Sequence, residues 1–461
     1  MRDYRRTNLA ENNTMKFHFL LGLATCVILY GCDLNQQPLP ALTSSPFYGD
    51  IGMREGTLWF QLSGNGDARD ILLEVWNDST EVKTYRPTSA GLANCYHVLA
   101  HDLMPGQSYN SLLTCNGHDL SDTLKLHTQV LWQYREDPPS FKIATGSCSY
   151  INETKFDRPG KPYGGESEIF ETLAQESADA MFWLGDNVYL READLGSIHG
   201  YIHRYNHTRS TPEIQKLLSS GVHYAIWDDH DFGPNDCDGS WIHQDWAKRT
   251  FDAFWANPES GLPGAPELNT TTFLLNDVQV FLLDNRTHRV NHGMGGEKRQ
   301  MLGTIQMEWL LNGLRNSRAP FKLVAIGGQM LSDAAIYENF AQFPEERAYL
   351  LEELDRLDIR GVVFLTGDRH NSELTKFQLP QGNWVYDLTV SPLTSGSYDH
   401  TEEPNTLRVE GTMVGVRNYA TLEFSGPRKE RVLKMTVKDK QGEQLWTRSI
   451  HAGKRHVLSP E

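Results

Sequence analysis

The chain has 461 residues, with 59 acidic and 43 basic side chains and a formal net charge of −16. That balance, with no basic run of the kind that tracks a phosphate backbone, argues against nucleic acid as a partner. A small anion near a cationic site need not feel such a field beyond a Debye length.

The chain opens on an address. Met15-Lys16-Phe17-His18 is a weakly basic start, and the apolar run Phe19 to Leu29 is too short to span a bilayer, so this segment reads as a signal-peptide core. It stops at Leu29-Tyr30-Gly31-Cys32, which resembles the lipobox of bacterial lipoproteins. The resemblance implies cleavage before Cys32 and a lipid on it, with residues 1–32 lost or modified; a non-lipidated secretion signal is the alternative. No second long apolar stretch follows, so the mature protein is expected to be soluble, monomeric and held to the membrane of a bacterial cell envelope only at its N-terminus, in the periplasm or at the cell surface.

Residues 33–50, rich in Asn, Gln, Pro, Ser and Thr, read as a flexible tether. Short alternating runs over 51–130, such as Thr57-Leu58-Trp59-Phe60-Gln61-Leu62 and Ile71-Leu72-Leu73-Glu74-Val75-Trp76, separated by Gly, Asn, Asp and Pro, predict a small all-β sandwich. Leu103-Met104-Pro105-Gly106-Gln107-Ser108-Tyr109 resembles the turn-and-strand entry of fibronectin type III-like modules. Cys95 and Cys115 both fall here, where an exported protein could form a disulfide.

From residue 140 onward strands alternate with helical patterns, which calls for an α/β layered sheet flanked by helices over 140–461. Helices are predicted at 166–177, 212–220, 243–255, 304–316 and 344–357. The strands end on chemistry. Phe141 to Gly146 leads to Cys148, Ala180 to Gly185 to Asp186 with Tyr189 close behind, and Gly361 to Gly367 to Asp368-Arg369-His370. Val222 to Trp227 leads to Asp228-Asp229-His230-Asp231, followed by Asn235-Asp236-Cys237-Asp238. In open α/β sheets, loops at the carboxyl ends of strands share one crevice, and a small Gly before a ligand lets the backbone turn sharply there. Carboxylates packed this densely repel one another unless a cation sits among them. A pairing of Cys148 with Cys237 is conceivable, but the strand-end position of Cys148 repeats that of Asp186 and Asp368 and favours a thiolate ligand.

Gly146-Ser147-Cys148, Gly185-Asp186-Asn187-Val188-Tyr189, Trp227-Asp228-Asp229-His230-Asp231, Leu283-Asp284-Asn285-Arg286 and Gly367-Asp368-Arg369-His370, in this order, resemble the PhoD-like alkaline phosphatases of the calcineurin-like metallophosphoesterase group. The resemblance implies a layered metallophosphoesterase β-sandwich and a metal-dependent hydrolase of phosphoric esters. It implies Cys148, Asp186, Tyr189 and His370 around iron(III), with Asp186 bridging to calcium held by Asp228, Asn235 and Asp368. Phenolate and thiolate donors suit iron(III), and carboxylate and amide oxygens suit calcium. Such a cluster would clamp a phosphate and lower the pKa of a bound water that attacks phosphorus.

Asp229 and His230 are candidates for acid/base or supporting roles. Arg286 either holds phosphate oxygens with its planar fork or forms a salt bridge to a neighbouring carboxylate. Asn187 stands where many relatives carry Tyr, and Pro392-Leu393-Thr394 replaces the more usual Gly-Leu-Thr. His199, His203, His207 and His292 read as exposed or helix-capping rather than as ligands. Substrates are expected to be phosphate monoesters or diesters, including phospholipid head groups. The reading from another class is a degenerate phosphatase that serves as a surface binding protein through its β-module.

Overall fold

The computed structural model describes residues 39–64, 68–291, 293, 294, 299–453 and 455–460. The expected signal segment, Cys32 and His292 lie outside them. Residues from Pro40 onward form one compact unit.

Two sheets face each other. One has eleven strands and the other six, in the order Thr271–Leu275, Val278–Leu282, Phe321–Ala325, Val362–Thr366, Trp384–Thr389, Glu373–Gln378. At the centre of the larger sheet Phe141–Gly146, Ala180–Leu184 and Val222–Ile226 run parallel. Their nearly unbroken apolar sequences follow from burial on both faces. Ala180, Phe182 and Leu184 point into the core between the sheets, where they meet Val280 and Leu323, while Met181 and Trp183 point outward beneath Ile169, Phe170 and Leu173 of the helix Glu168–Gln175. In the second sheet Val280 and Leu282 face inward and Phe281 faces the outer helices Thr304–Asn316 and Pro344–Arg356 through Leu310 and Leu354. The period of two along each strand thus builds an α/β/β/α stack with three apolar layers. No helix among the described residues is long and apolar enough to cross a membrane.

The predicted helices are present within a few residues of their expected bounds. The helix Ile198–Arg209 has no counterpart in the sequence reading; its buried residues are Tyr201, Arg204, Tyr205, Thr208 and Arg209. The spacing is helical but the face is polar.

The N-terminal strands pack as a small sandwich around Leu58, Phe60, Leu73, Val98 and Leu113. This sandwich is continuous with the larger sheet, because Phe47–Ile51 pairs in parallel with Val222–Ile226. The tether expected over 33–50 therefore overlaps a buried strand from Phe47 onward. Trp59 donates from Nε1 to the Ala253 carbonyl at 2.8 Å, and the Arg209 guanidinium lies 4.4 Å from the Trp59 ring and 4.6 Å from that of Trp255. Cys95 and Cys115 are free thiols rather than a disulfide. They are buried in different clusters, Cys95 beside Trp59 and Cys115 inside the small sandwich.

One buried side chain gives the fold a pH dependence. His223 accepts from Trp183 Nε1 at 3.1 Å, so its other nitrogen carries the proton and donates to the carbonyls of Leu217 and Leu218 at 3.1 Å. Burial, reinforced by Arg209, lowers its pKa from 6.5 to about 3. The unfolded chain takes up a proton below 6.5 that the folded chain refuses. Stability should therefore fall as pH drops from 6.5 towards 3, by about 1.4 kcal/mol per pH unit from this residue alone. Urea unfolding of wild type and His223→Asn across that window should show a shallower slope in the variant; equal slopes would refute the assignment.

Candidate metal centre

The loops that follow Gly146, Leu184, Ile226, Leu282, Ala325 and Thr366 meet at one edge of the two sheets. Cys148, Asp186, Asp368 and His370 all have positive φ, between 51° and 68°. Left-handed backbone at four bulky, polar strand-end residues is a cost the surrounding structure must hold in place, and it turns each side chain inward. Gly185 has φ +92°, and a Cβ there would come within 2.7 Å of Asp228 Cβ. A Cβ on Gly367 would meet Ser147 Oγ at 2.6 Å. Both positions have room for glycine alone.

Four sets of donor atoms lie within 4.8 Å of one another: Cys148, Asp186 and His370; Asp186, Asp229 and His230; Asp228, Asp229 and Asp368; and Asp229, Asp236 and Glu338. Asp186 joins the first two, the geometry that a bridging ligand requires. Tyr189 OH lies 3.3 Å from His370 Nε2, and Tyr163 OH lies 3.0 Å from the other ring nitrogen, which orients the imidazole. Cys148 Sγ is 3.5 Å from Asp186 Oδ2 and 3.1 Å from Ser391 Oγ.

The electrostatics fit a cationic guest. Burial, and then the carboxylates around them, push Asp186 and Asp368 well above the ordinary range. Burial with Asp186 beside it does the same to the Cys148 thiol. Burial also works against Asp229, yet His230, Arg286 and the Asp236 N–H outweigh it and hold its carboxyl below the ordinary range. Asp228 Oδ2, Asp229 Oδ1 and Asn285 Oδ1 are buried without a hydrogen-bond partner. Orphaned acceptors gathered among carboxylates are what a bound cation satisfies.

The sequence expectations divide here. Cys148, Asp186, Tyr189, Asp228, Asp368 and His370 converge. Asp229, read as a supporting residue, belongs to three of the four donor sets, and Asp228 to one. Asn235 and the neighbouring Asp236 are both exposed, and the Asp236 carboxylate joins a donor set. Arg286 is not free to hold a phosphate. It is 1% exposed; its Nε donates to Asp228 Oδ1 at 2.6 Å, and its terminal nitrogens to Glu338 Oε1 and Oε2 at 3.1 and 2.9 Å and to the Cys237 carbonyl at 3.1 Å. With Nη2 also against Asp228, every N–H is engaged, and the salt-bridge alternative holds.

Asp231 and Asp284, which stand in the sequence motifs without an assigned role, and Glu338, which does not stand in them, hold the loops in place. Asp231 accepts from the backbone of Asn187, Val188 and Asp228 at 3.0 to 3.3 Å, clamping two ligand loops together. Asp284 accepts from Trp227 Nε1 and from the backbone of Asn269, Arg286 and Thr287. Glu338 comes from a loop with no flanking motif, so nothing in its local sequence announced it. A cavity of about 650 Å3 opens at the opposite ends of these strands, bounded by Phe141, Ala180 and Val222, away from the donors.

The PhoD-like phosphatase family model matches residues 143–444, which takes in every strand end just described. The chain belongs to the PhoD-like phosphatase family. It is 23% identical over 418 residues to alkaline phosphatase D of Bacillus subtilis (strain 168), covering 76% of this chain and 69% of the relative. A solved structure of PhoD superposes with a TM-score of 0.75 at 17% identity, covering 92% of each chain. A purple acid phosphatase from yellow lupin seeds superposes with a TM-score of 0.65 at 12% identity, over 88% of this chain and 74% of that one. This likeness is one of fold. As a PhoD-like phosphatase the protein is a metal-binding phosphoesterase, and the layered α/β fold expected from the sequence is the observed one.

Proposed function

We propose that this phosphoesterase is exported, tethered through lipid on Cys32, and releases phosphate from monoesters or diesters at the cell envelope with iron(III) and calcium as its ions. The observation that supports the choice of ions is the sorting of donors across Asp186. Cys148, Tyr189 and His370 supply sulfur, phenol and imidazole on one side; on the other, apart from the His230 imidazole, Asp228, Asp229 and Asp368 supply carboxylate oxygen. Soft and phenolic donors favour iron(III), hard oxygen donors calcium. When bound, such ions neutralise the phosphate and make a water acidic enough to attack phosphorus.

The chain's own residues do the rest. Asp231 and Asp284 fix the ligand loops, so little reorganisation is needed at the moment of reaction. Tyr163 holds His370 from behind. His230 stands over Tyr189, with ring centroids 4.2 Å apart, and its side chain remains 20% exposed, so it reaches the open side of the centre. Burial lowers its pKa, so the ring rests neutral and can take a proton from the attacking water. A phospholipid head group is the alternative substrate, since a lipid on Cys32 would hold the centre near a membrane.

Colour tests the ion assignment. A phenolate on iron(III) absorbs visible light, so purified protein should be coloured, contain iron and calcium, and bleach on Tyr189→Phe. Colourless, iron-free protein with full hydrolytic activity would refute the mixed set while leaving hydrolysis with other ions intact.

A further inference from the structure

Three tyrosines from three loops gather on the solvent side of the Asp368-Arg369-His370 turn. Tyr163, Tyr337 and Tyr398 are 37%, 61% and 49% exposed, unusual for rings this size beside a buried centre. The Tyr398 ring lies parallel to that of His370, with centroids 5.9 Å apart and planes 7° apart, and its backbone N–H donates to the His370 carbonyl at 3.0 Å. Tyr337 covers the guanidinium of Arg369 at 4.2 Å. His400 closes the arc between them, 6.2 Å from Tyr337 and 6.1 Å from Tyr398.

Two features show that the rings are held rather than merely exposed. Tyr337 has φ +50°, a left-handed conformation that a bulky side chain adopts only when its surroundings impose it. A Cβ on Gly396 would come within 3.1 Å of both the Tyr163 ring and the Tyr398 hydroxyl, so the absence of a side chain there lets the two tyrosines approach. Beneath them Arg369 is 5% exposed and bound to Glu403 through Nη2, while its Nε is buried without a partner. Glu403 also takes His400 Nδ1 at 2.7 Å, which braces the arc from below.

Resting on the phosphoesterase reading, we propose that Tyr163, Tyr337 and Tyr398 form an aromatic rim that binds the leaving alcohol of the substrate and selects alcohols carrying a planar base, as in a nucleoside phosphate. The rim borders the donor sets at His370, where Tyr163 bonds the imidazole and Tyr398 lies parallel to it. Each exposed ring offers a π face for stacking, while the Tyr163 hydroxyl is held by His370. The arc is built of Tyr, His and Arg, whose flat faces suit a planar base.

The test compares adenosine 5′-monophosphate with ribose 5-phosphate, each as the monoester and as its methyl diester, so that only the base differs within a pair. Wild type should favour the adenosine compound by on the order of tenfold or more in kcat/KM, carried by KM. Tyr337→Ala and Tyr398→Ala should each shrink that ratio about tenfold. Tyr337→Phe and Tyr398→Phe should keep it, because a ring face remains. Equal kcat/KM for the pair in wild type, or a ratio unmoved by both alanine variants, would overturn the rim. Loss of hydrolysis on both members alike in an alanine variant would also overturn it, since it would mark that tyrosine as a support for the metal loops. Wild type that hydrolyses p-nitrophenyl phosphate but neither member in either ester form would overturn the rim alone, and wild type that hydrolyses none of these would overturn the phosphoesterase reading and the rim with it.

Discussion

Asp186→Ala should abolish hydrolysis and empty the centre of metal. Asp186 belongs to the donor set with Cys148 and His370 and to the one with Asp229 and His230, so its removal takes a ligand from both sides at once. What remains is a buried group of carboxylates whose mutual repulsion has lost the charge that offset it. The expected loss is on the order of 10³-fold or greater, because both phosphate neutralisation and activation of water depend on the ions. Elemental analysis of the purified variant should show its bound metals reduced together relative to wild type. Retention of both metals with activity within tenfold of wild type would show that Asp186 does not bridge.

The second large effect concerns stability rather than rate. Arg286→Met should destabilise the fold by about 3–5 kcal/mol, because it leaves Asp228 buried without its cation and takes one of two arginines from Glu338, which keeps Arg289. Chemical denaturation in the presence of chelator reads this directly, free of any contribution from bound metal. The role first open to Arg286, a clamp on substrate phosphate, predicts a different signature: stability unchanged and KM raised. Arg286→Met combined with Asp228→Asn should recover part of the loss, since the second change removes the stranded charge, whereas Glu338 keeps Arg289 at 3.0 Å. A single variant as stable as wild type would mean that the ion network around Asp228 tolerates its own negative charge, against the geometry described above.

Much of the catalytic half was legible because its signals are local. A strand buried on both faces must be an apolar run, and a ligand at its end must follow a small residue, so Gly185-Asp186 and Gly367-Asp368 could be read as strand end and donor together. The helix Ile198–Arg209 was not legible for an equally local reason. Its buried face consists of Tyr201, Arg204, Tyr205, Thr208 and Arg209, with Arg204 bonded to Asp194 at 2.8 Å and Arg209 enclosed by Phe47, Trp59 and Trp255. Hydrophobic periodicity cannot detect a helix whose inner face is polar and paired. The continuity of the N-terminal sandwich with the main sheet was hidden likewise, since the pairing of Phe47–Ile51 with Val222–Ile226 joins strands far apart in sequence.

By itself the sequence determined the residue types of the centre, their order along the chain and the α/β layering, because backbone periodicity and strand-end chemistry are written within a few residues of each donor. Only the tertiary structure decided which of two adjacent acids faces which neighbour. Asp228 and Asp229 differ by one position, yet the turn from strand to short helix aims Asp228 at Arg286 and Asn285 and places Asp229 among three donor sets. Tertiary packing also brought in Glu338, Tyr163, Tyr337 and Tyr398 from loops whose sequences carry no metal motif. Their partners are distant in the chain, and charge pairing or ring contact across such distances leaves no periodicity to read.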